Sequence, residues 1–256
     1  MTKKIIGILS VLMVGFMVII FFFPPETQPR KEAVSEKNTK TATSTAVATK
    51  KEVDSELPDV SRSDWQLILV NHDTPVTAEP KTLTAMKNGY QIDNRIYDAY
   101  YKMEAAAAEA GYSLTVISSY RSIADQEAVF DADVSKYLAS GLSEQEAEAK
   151  AEEYVTHPGR SEHHTGLAVD VVDQVWYDQG NGLEEEFFET EAGKWIDQNC
   201  AKYGFVIRYP KNKEEITGIN YEPWHLRYVG TESANYMVSH QLVLEEYLDV
   251  LKEAGK

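Results

Sequence analysis

The stretch that most constrains this chain is SEHHTGLAVDVVD, residues 161–173. It places two adjacent histidines and a glycine directly before a strand-like apolar run that contains an aspartate. Core packing gains nothing from paired histidines, and a buried carboxylate is costly unless it has a partner. A metal ion accepts both imidazole nitrogen and carboxylate oxygen. The stretch therefore predicts that the chain folds around a metal ion.

Three residues are candidate ligands: His163, Asp170 and, further along, His225 in YEPWHLRYVG. A catalytic zinc site has three protein ligands and leaves one position for water, and two histidines with one aspartate meet this count. His163 and His164 are neighbours in sequence, so this is not the helical His-Glu-x-x-His pattern. On an extended chain only one of them can face the metal. His163 is the candidate of the two, and Gly166 would let the chain turn sharply after it.

Two charged residues are candidates for the chemistry around such a metal. Glu222 lies three residues before His225, and Pro223 favours an extended backbone at Glu222. A carboxylate beside a metal site is positioned to take a proton from water. Arg121 follows the strand-like segment LTVISSY and offers a fixed positive charge for a substrate carboxylate or a developing oxyanion.

Three segments in this order, SSYRSIADQ, SEHHTGLAVD and GINYEPWHLRYVG, resemble the VanY-type family of zinc D-alanyl-D-alanine carboxypeptidases. The similarity runs from about residue 65 to the C-terminus. It implies a small α+β zinc-peptidase domain of the hedgehog-like type, with a mostly antiparallel sheet flanked by helices. The family's site residues would be Zn²⁺ ligands His163, Asp170 and His225, catalytic residues Glu222 and Arg121, and substrate-binding residues Arg121, Gln126 and Ser161.

The resemblance implies an enzyme that removes the C-terminal D-alanine from peptidoglycan stem peptides during cell-wall remodelling. Three alternatives stay open. The first is an L,D-carboxypeptidase that acts on tetrapeptide stems. The second is a wall-binding module that contains zinc without catalysing hydrolysis, although Glu222 argues against it. The third is an endopeptidase that cuts within the stem or its bridge.

The N-terminal part of the chain predicts a membrane anchor and a tether. Residues 5–23 contain no charged side chain, and at about 1.5 Å per residue a helix of this length nearly spans a bilayer core of about 30 Å. Lys3 and Lys4 precede it, so the positive-inside rule favours a cytoplasmic stub. We expect an uncleaved single-pass anchor at 1–23, although a cleaved signal peptide competes with it. Residues 24–60 are polar and predict a disordered, flexible linker, which leaves a zinc carboxypeptidase domain at 61–256.

Composition narrows the partners and the compartment. The formal net charge of −16 argues against nucleic acid, because phosphate binding requires clustered basic side chains. The single cysteine, Cys200, excludes an internal disulfide and a cysteine-rich zinc site, and we expect it to be a buried structural residue. Peptidoglycan stem peptides are the expected partner. An extracellular domain without disulfides favours a Gram-positive bacterium, and we expect a monomer.

Helix-like and strand-like patterns alternate along the predicted domain. WQLILV at residues 65–70 predicts a strand, and apolar spacing from Ile92 to Met103 predicts a helix that Gly111 stops. Ser143 and Glu146 predict a capping box, and residues 135–155 look like a helical insertion that forms a lid or a partner surface. A parallel doubly wound sheet would require a phosphate loop, which the sequence lacks, so an α+β fold with antiparallel pairing is favoured.

Overall fold

The computed structural model describes residues 56–76 and 78–256. The predicted anchor at 1–23 and nearly all of the predicted linker lie outside this part of the chain. Among the residues that are described, no helix combines the length and apolar character needed to cross a bilayer. The domain already includes Leu57, which is buried, and the side chain of Lys256 donates a hydrogen bond of 2.6 Å to the carbonyl of Pro58.

An antiparallel sheet of four strands forms the centre of the domain, with the spatial order β3-β4-β6-β5. Two short strands, β1 and β2, pair separately as an antiparallel hairpin. This arrangement confirms the predicted α+β fold with antiparallel pairing. The strands are β1 Leu83–Ala85, β2 Gln91–Asp93, β3 Leu114–Ser118, β4 Ala168–Asp173, β5 Phe205–Tyr209 and β6 Glu222–Tyr228.

Eight α-helices flank these strands in the described part of the chain, together with short 3₁₀ turns that include Glu162–Thr165. They are α1 Tyr97–Glu109, α2 Ile123–Ala139, α3 Glu144–Ala151, α4 Gln174–Asp178, α5 Glu191–Asn199, α6 Glu214–Thr217, α7 Thr231–Ser239 and α8 Leu244–Glu253. Side-chain caps start several of them. Ser122 accepts a hydrogen bond from the backbone of Asp125, and the predicted capping box of Ser143 and Glu146 begins α3.

Two clusters of buried side chains hold the domain together. The larger one packs α1 and α5 against strand residues such as Val169, Val171 and Leu226. The smaller one joins Val206 of β5 to α7, α8 and the segment before β1, including Leu67. Cys200 is buried in the larger cluster, as a structural cysteine would be, and burial raises the pKa of its thiol to about 12.

Two local predictions are wrong. Residues 65–70 do not form a strand, because Trp65–Leu67 is a 3₁₀ turn, and the carbonyls of Gln66 and Ile68 accept hydrogen bonds from buried Arg227 rather than from a neighbouring strand. Ile92 does not begin a helix, because it lies in β2 and α1 starts only at Tyr97. Ile92 is apolar because it is buried in the hairpin, and its distance in sequence from the apolar residues of α1 matches a helical spacing only by coincidence.

Candidate metal centre

The register of the central sheet brings two of the three candidate ligands together. Asp170 on β4 lies directly opposite His225 on β6. Side chains alternate across a strand, so neighbours such as Val169 and Leu226 point into the larger core cluster while Asp170 and His225 share the other face. Residues directly opposite in an antiparallel pair have Cβ atoms about 5 Å apart, a separation that a metal ion can bridge through longer side chains.

The third candidate ligand, His163, lies on the 3₁₀ turn Glu162–Thr165 immediately before β4. Ser161 caps this turn by accepting a hydrogen bond from the backbone N–H of His163. The turn ends at Gly166, whose φ of 67° is left-handed, and a Cβ there would lie 2.9 Å from the backbone nitrogen of Asp93. Only glycine fits this position without strain. The sharp turn predicted at Gly166 is therefore confirmed, although the chain at His163 is helical rather than extended.

The three side chains converge on one point. Their candidate ligand atoms all lie within 4.8 Å of one another, and all three residues are buried. Nε2 of His163 is 3.2 Å from Oδ2 of Asp170, and Nδ1 of His225 is 3.1 Å from Oδ1. Nδ1 of His163 faces the carbonyl of Ser119 at 2.7 Å. A carbonyl only accepts, so Nδ1 carries the proton and Nε2 presents its lone pair to the cluster.

One carboxylate oxygen in this cluster accepts no hydrogen bond from the described residues. Oδ1 of Asp170 is buried and has no hydrogen-bond partner among the described residues. An unsatisfied carboxylate oxygen is expensive in a protein interior. A divalent cation bound between this oxygen and the two imidazole nitrogens would satisfy it, because two nitrogens and one carboxylate oxygen are a donor set that zinc accepts. The residues present therefore fit a metal ion.

The charges of the cluster suit a cation. Burial raises the pKa of Asp170, but His163 and His225 outweigh it and hold that pKa well below its usual range. Burial also lowers the pKa of His163, which favours the neutral imidazole that a metal requires. Burial lowers the pKa of His225, but the nearby carboxylates of Asp170 and Glu162 outweigh it and raise that pKa to about 9. A metal at Nδ1 of His225 would compete with that proton.

Glu222 lies at the edge of the cluster because β6 bulges there. Tyr209 on β5 pairs with Glu222, whereas Ile207 pairs with Leu226, so β6 carries extra residues between these two pairs. A bulge of this kind redirects side chains. As a result Oε2 of Glu222 is 3.6 Å from Nδ1 of His225, and burial raises the pKa of Glu222 to about 8. The extended backbone predicted at Glu222 is confirmed, since β6 begins there.

Arg121 is held in place by its neighbours. Its guanidinium donates one hydrogen bond to Oε1 of Gln126 at 2.8 Å and another to Oγ of Ser118 at 2.7 Å. A guanidinium has five N–H donors, so three remain for other partners. Gln126 is itself fixed because its amide donates to the carbonyl of Thr156 at 2.7 Å. Burial lowers the pKa of Arg121 but leaves an arginine charged.

His164 turns away from the cluster and supports Arg121 instead. Its Nδ1 donates to the carbonyl of Arg121 at 2.8 Å, and its Nε2 accepts from the backbone N–H of Gly159 at 3.0 Å. These partners fix a neutral tautomer, and the paired histidines divide into one that faces the metal position and one that holds the loop. The sequence indicated that only one of the two could face a metal, but nothing in it pointed to Gly159 or to Ser119.

All of the predicted site residues line one cleft of about 700 Å³. These residues are Arg121, Gln126, Ser161, His163, Asp170, Glu222 and His225. The predicted insertion forms one wall, with Lys136 and Tyr137 from α2 and Tyr154 after α3. A segment before α5 that includes Glu185 forms another part of the rim. The structure thus brings together every site residue that the sequence nominated.

This geometry defines a class of protein, the metal-dependent hydrolases with a His–Asp–His centre in an open cleft on an antiparallel sheet. The family model described as "VanY: D-alanyl-D-alanine carboxypeptidase" matches residues 89–231. The chain belongs to this family.

Relatives agree with that assignment. A D-alanyl-D-alanine carboxypeptidase of Enterococcus faecalis (strain ATCC 700802 / V583) is 40% identical over 190 residues, which cover 74% of this chain and 68% of the relative. One solved structure is a mutant of the vancomycin resistance D,D-pentapeptidase VanY from the VanB-type resistance cassette, in complex with Zn(II). It is 40% identical to this chain, with a TM-score of 0.65, and the match covers 99% of that chain and 72% of this one. The LD-carboxypeptidase LdcB is 40% identical with a TM-score of 0.61, covering 86% of that chain and 72% of this one.

Proposed function

We propose that this protein is a zinc-dependent carboxypeptidase that removes the C-terminal D-alanine from peptidoglycan stem peptides. One observation carries the proposal. A buried carboxylate, Glu222, lies 3.6 Å from a ligand nitrogen of the His–Asp–His cluster, in the same cleft as the fixed guanidinium of Arg121. Hydrolysis of a terminal peptide bond needs a general base, a metal ion and a group that binds the terminal carboxylate. Glu222, the His–Asp–His cluster and Arg121 could supply these three parts. Family membership supplies the substrate class.

Zinc held by His163, Asp170 and His225 would supply a Lewis acid that polarises the scissile carbonyl and makes water acidic enough to lose a proton near pH 7. Oε2 of Glu222 then accepts a proton from the attacking water and passes it to the departing amine of D-alanine. Burial raises the pKa of Glu222 to about 8, which makes its carboxylate a stronger base than an exposed one and suits the first of these transfers.

Arg121 would bind the terminal carboxylate of the stem peptide. Its free N–H groups match a carboxylate in a two-point contact, and its bonds with Gln126 and Ser118 fix the plane of the guanidinium before the substrate arrives. Gln126 therefore acts on the substrate partly through Arg121. Ser161 lines the cleft beside the ligand turn and has a hydroxyl that can contact the peptide backbone.

The test is direct. Full-length protein is incubated with defined pentapeptide and tetrapeptide stems, with and without a chelator, and the products are identified by mass spectrometry. Loss of one alanine from the pentapeptide, abolished by the chelator and restored by zinc, is the expected result. Hydrolysis at an unchanged rate in the presence of the chelator would contradict the proposal.

The same experiment separates the alternatives. The 40% identity to the LD-carboxypeptidase LdcB favours tetrapeptide cleavage as a second candidate, and shortening of the tetrapeptide alone would establish it. Internal fragments would indicate an endopeptidase. Zinc binding without any product would leave a non-catalytic wall-binding module.

We also propose that residues 1–23 anchor the protein in the cell membrane, with residues 24–60 as linker and the catalytic domain 61–256 outside the cell. The uncharged run at 5–23 after two lysines supports this. Protease added to intact cells should remove the domain, whereas a domain that is protected until lysis would refute the arrangement. An intact N-terminal segment in the membrane fraction distinguishes an anchor from a cleaved signal peptide.

A further inference from the structure

Glu162 lies between Ser161 and His163 and belongs neither to the three ligands nor to the proposed catalytic groups. Its carboxylate is buried, with 1% of the residue exposed, on the same 3₁₀ turn that presents the ligand His163. Buried carboxylates need partners, so the identity of those partners shows what this side chain is for.

The two oxygens of Glu162 face different groups. Oε1 accepts from Nε of Arg208 at 2.8 Å and from Nη1 of Arg227 at 2.5 Å. Oε2 lies 3.4 Å from Nε2 of the ligand His225. One oxygen therefore belongs to two guanidinium groups and the other belongs to the metal centre.

The guanidinium groups are themselves fixed. Arg208 makes a two-point contact with Glu245 of α8, at 2.9 and 2.6 Å. The second nitrogen of Arg227 donates to the carbonyls of Ile68 at 2.6 Å and Gln66 at 3.2 Å. Both arginines are buried and both donate to Oε1 of Glu162, so Oε1 is held on their side and Oε2 faces His225.

We propose that Glu162 is a positioning residue for the metal ligand His225. It accepts a hydrogen bond from Nε2–H, which keeps the proton on that nitrogen and leaves the lone pair of Nδ1 directed at the metal. A carboxylate in this position also orients the ring and makes the imidazole a stronger ligand. The inference rests on the metal site that the proposed function uses.

The alternative is that Glu162 only neutralises two buried arginines. Glu162→Gln separates the two roles. Two guanidinium groups donate at Oε1, so the amide oxygen of the glutamine will take that side and its NH₂ will face His225. Nε2 must then accept, which moves the proton to Nδ1, where it blocks the metal. The opposite orientation of the amide is disfavoured, because its NH₂ would then face two guanidinium cations.

The first measurement is the zinc affinity of full-length protein, by competition with a chromophoric chelator. We expect the affinity of E162Q to fall about 10- to 100-fold, the usual effect of losing a partner of a ligand histidine. The matched control is E246Q, which weakens the ion pair of Glu246 with Lys213 and the start of α8 but contacts neither Glu162 nor its two arginines. It should lower the melting temperature and keep wild-type zinc affinity. Affinity of E162Q within twofold of wild type, or an equal loss in E246Q, would overturn the inference.

A second measurement uses the zinc-loaded wild type and does not depend on whether E162Q folds. Long-range ¹H–¹⁵N correlation of labelled histidines should show His225 protonated at Nε2 and His163 protonated at Nδ1, one tautomer of each kind. Zinc bound through Nε2 of His225 refutes the role of Glu162. Failure of the wild type to bind zinc at all refutes the proposed function instead, so the two failures are distinguishable.

Discussion

Replacing Glu222 by glutamine tests the proposed chemistry most sharply. The substitution keeps the size of the side chain and removes its ability to accept a proton. General acid–base catalysis contributes about 10²- to 10⁴-fold, so kcat should fall by that factor, which is roughly 3 to 5 kcal/mol in the barrier. The zinc content should stay near one per chain, because Glu222 is a neighbour of the His–Asp–His cluster and not one of its three members.

Stability should move in the opposite direction to activity. Burial raises the pKa of Glu222 from 4.5 to about 8 in the metal-free protein. The unfolded chain ionises this group above about pH 4.5, whereas the folded chain keeps it protonated until about pH 8, so the wild type loses stability between these values as pH rises. Glutamine does not titrate. Metal-free E222Q should therefore be more stable than wild type at pH 7, by at most on the order of 3 kcal/mol.

The assay measures D-alanine released from a pentapeptide stem, zinc by elemental analysis and unfolding by denaturant titration. Glu185→Gln is the matched control, because Glu185 lines the same cleft on its exposed rim, and we expect near-wild-type turnover from it. Turnover of E222Q within tenfold of wild type, with zinc in place, would show that Glu222 is not the base.

Three further outcomes are expected. Arg121→Lys cannot reproduce the two-point contact with a carboxylate, and a charged hydrogen bond is worth about 1.5–3 kcal/mol. The substitution should therefore lower kcat/KM about 10- to 150-fold and abolish the preference for a substrate with a C-terminal acid over the corresponding amide. An unchanged preference would argue against Arg121 as the carboxylate contact. His164→Ala leaves the Gly159 N–H and the Arg121 carbonyl unpaired, so thermal unfolding should occur several degrees lower while the zinc content is kept; loss of zinc would mean that His164 is a ligand. The thiol of Cys200 is buried with a pKa of about 12, so a disulfide reagent at pH 8 should modify it only after denaturation, and rapid labelling of the folded protein would contradict this.

The ligand set could be predicted from sequence because each ligand stands in a recognisable local pattern. Asp170 interrupts an apolar strand, His163 precedes a glycine turn, and His225 follows an acid and a proline by short spacing. Which atoms meet could not be predicted, since the pairing of Asp170 with His225 depends on long-range strand register.

The errors have the same origin. The segment at 65–70 has the composition of a strand, but its carbonyls are used by Arg227, which is distant in sequence. Nothing in the sequence singles out Glu162, because only the folded sheet brings Arg208 and Arg227 to it. The local sequence pattern indicates which buried polar side chains need a partner, whereas the tertiary structure determines which residue that partner is.

The alignment of Asp170 with His225 has a consequence for how the molecule assembles. A slip of one residue between β4 and β6 would put Leu226 or a neighbouring apolar side chain opposite Asp170, and the two ligands would point to opposite faces. A dication can then bind only the chain whose strands are correctly matched, and its binding free energy is added to that arrangement alone. The ion would thus select against misaligned folding products as well as serve the reaction.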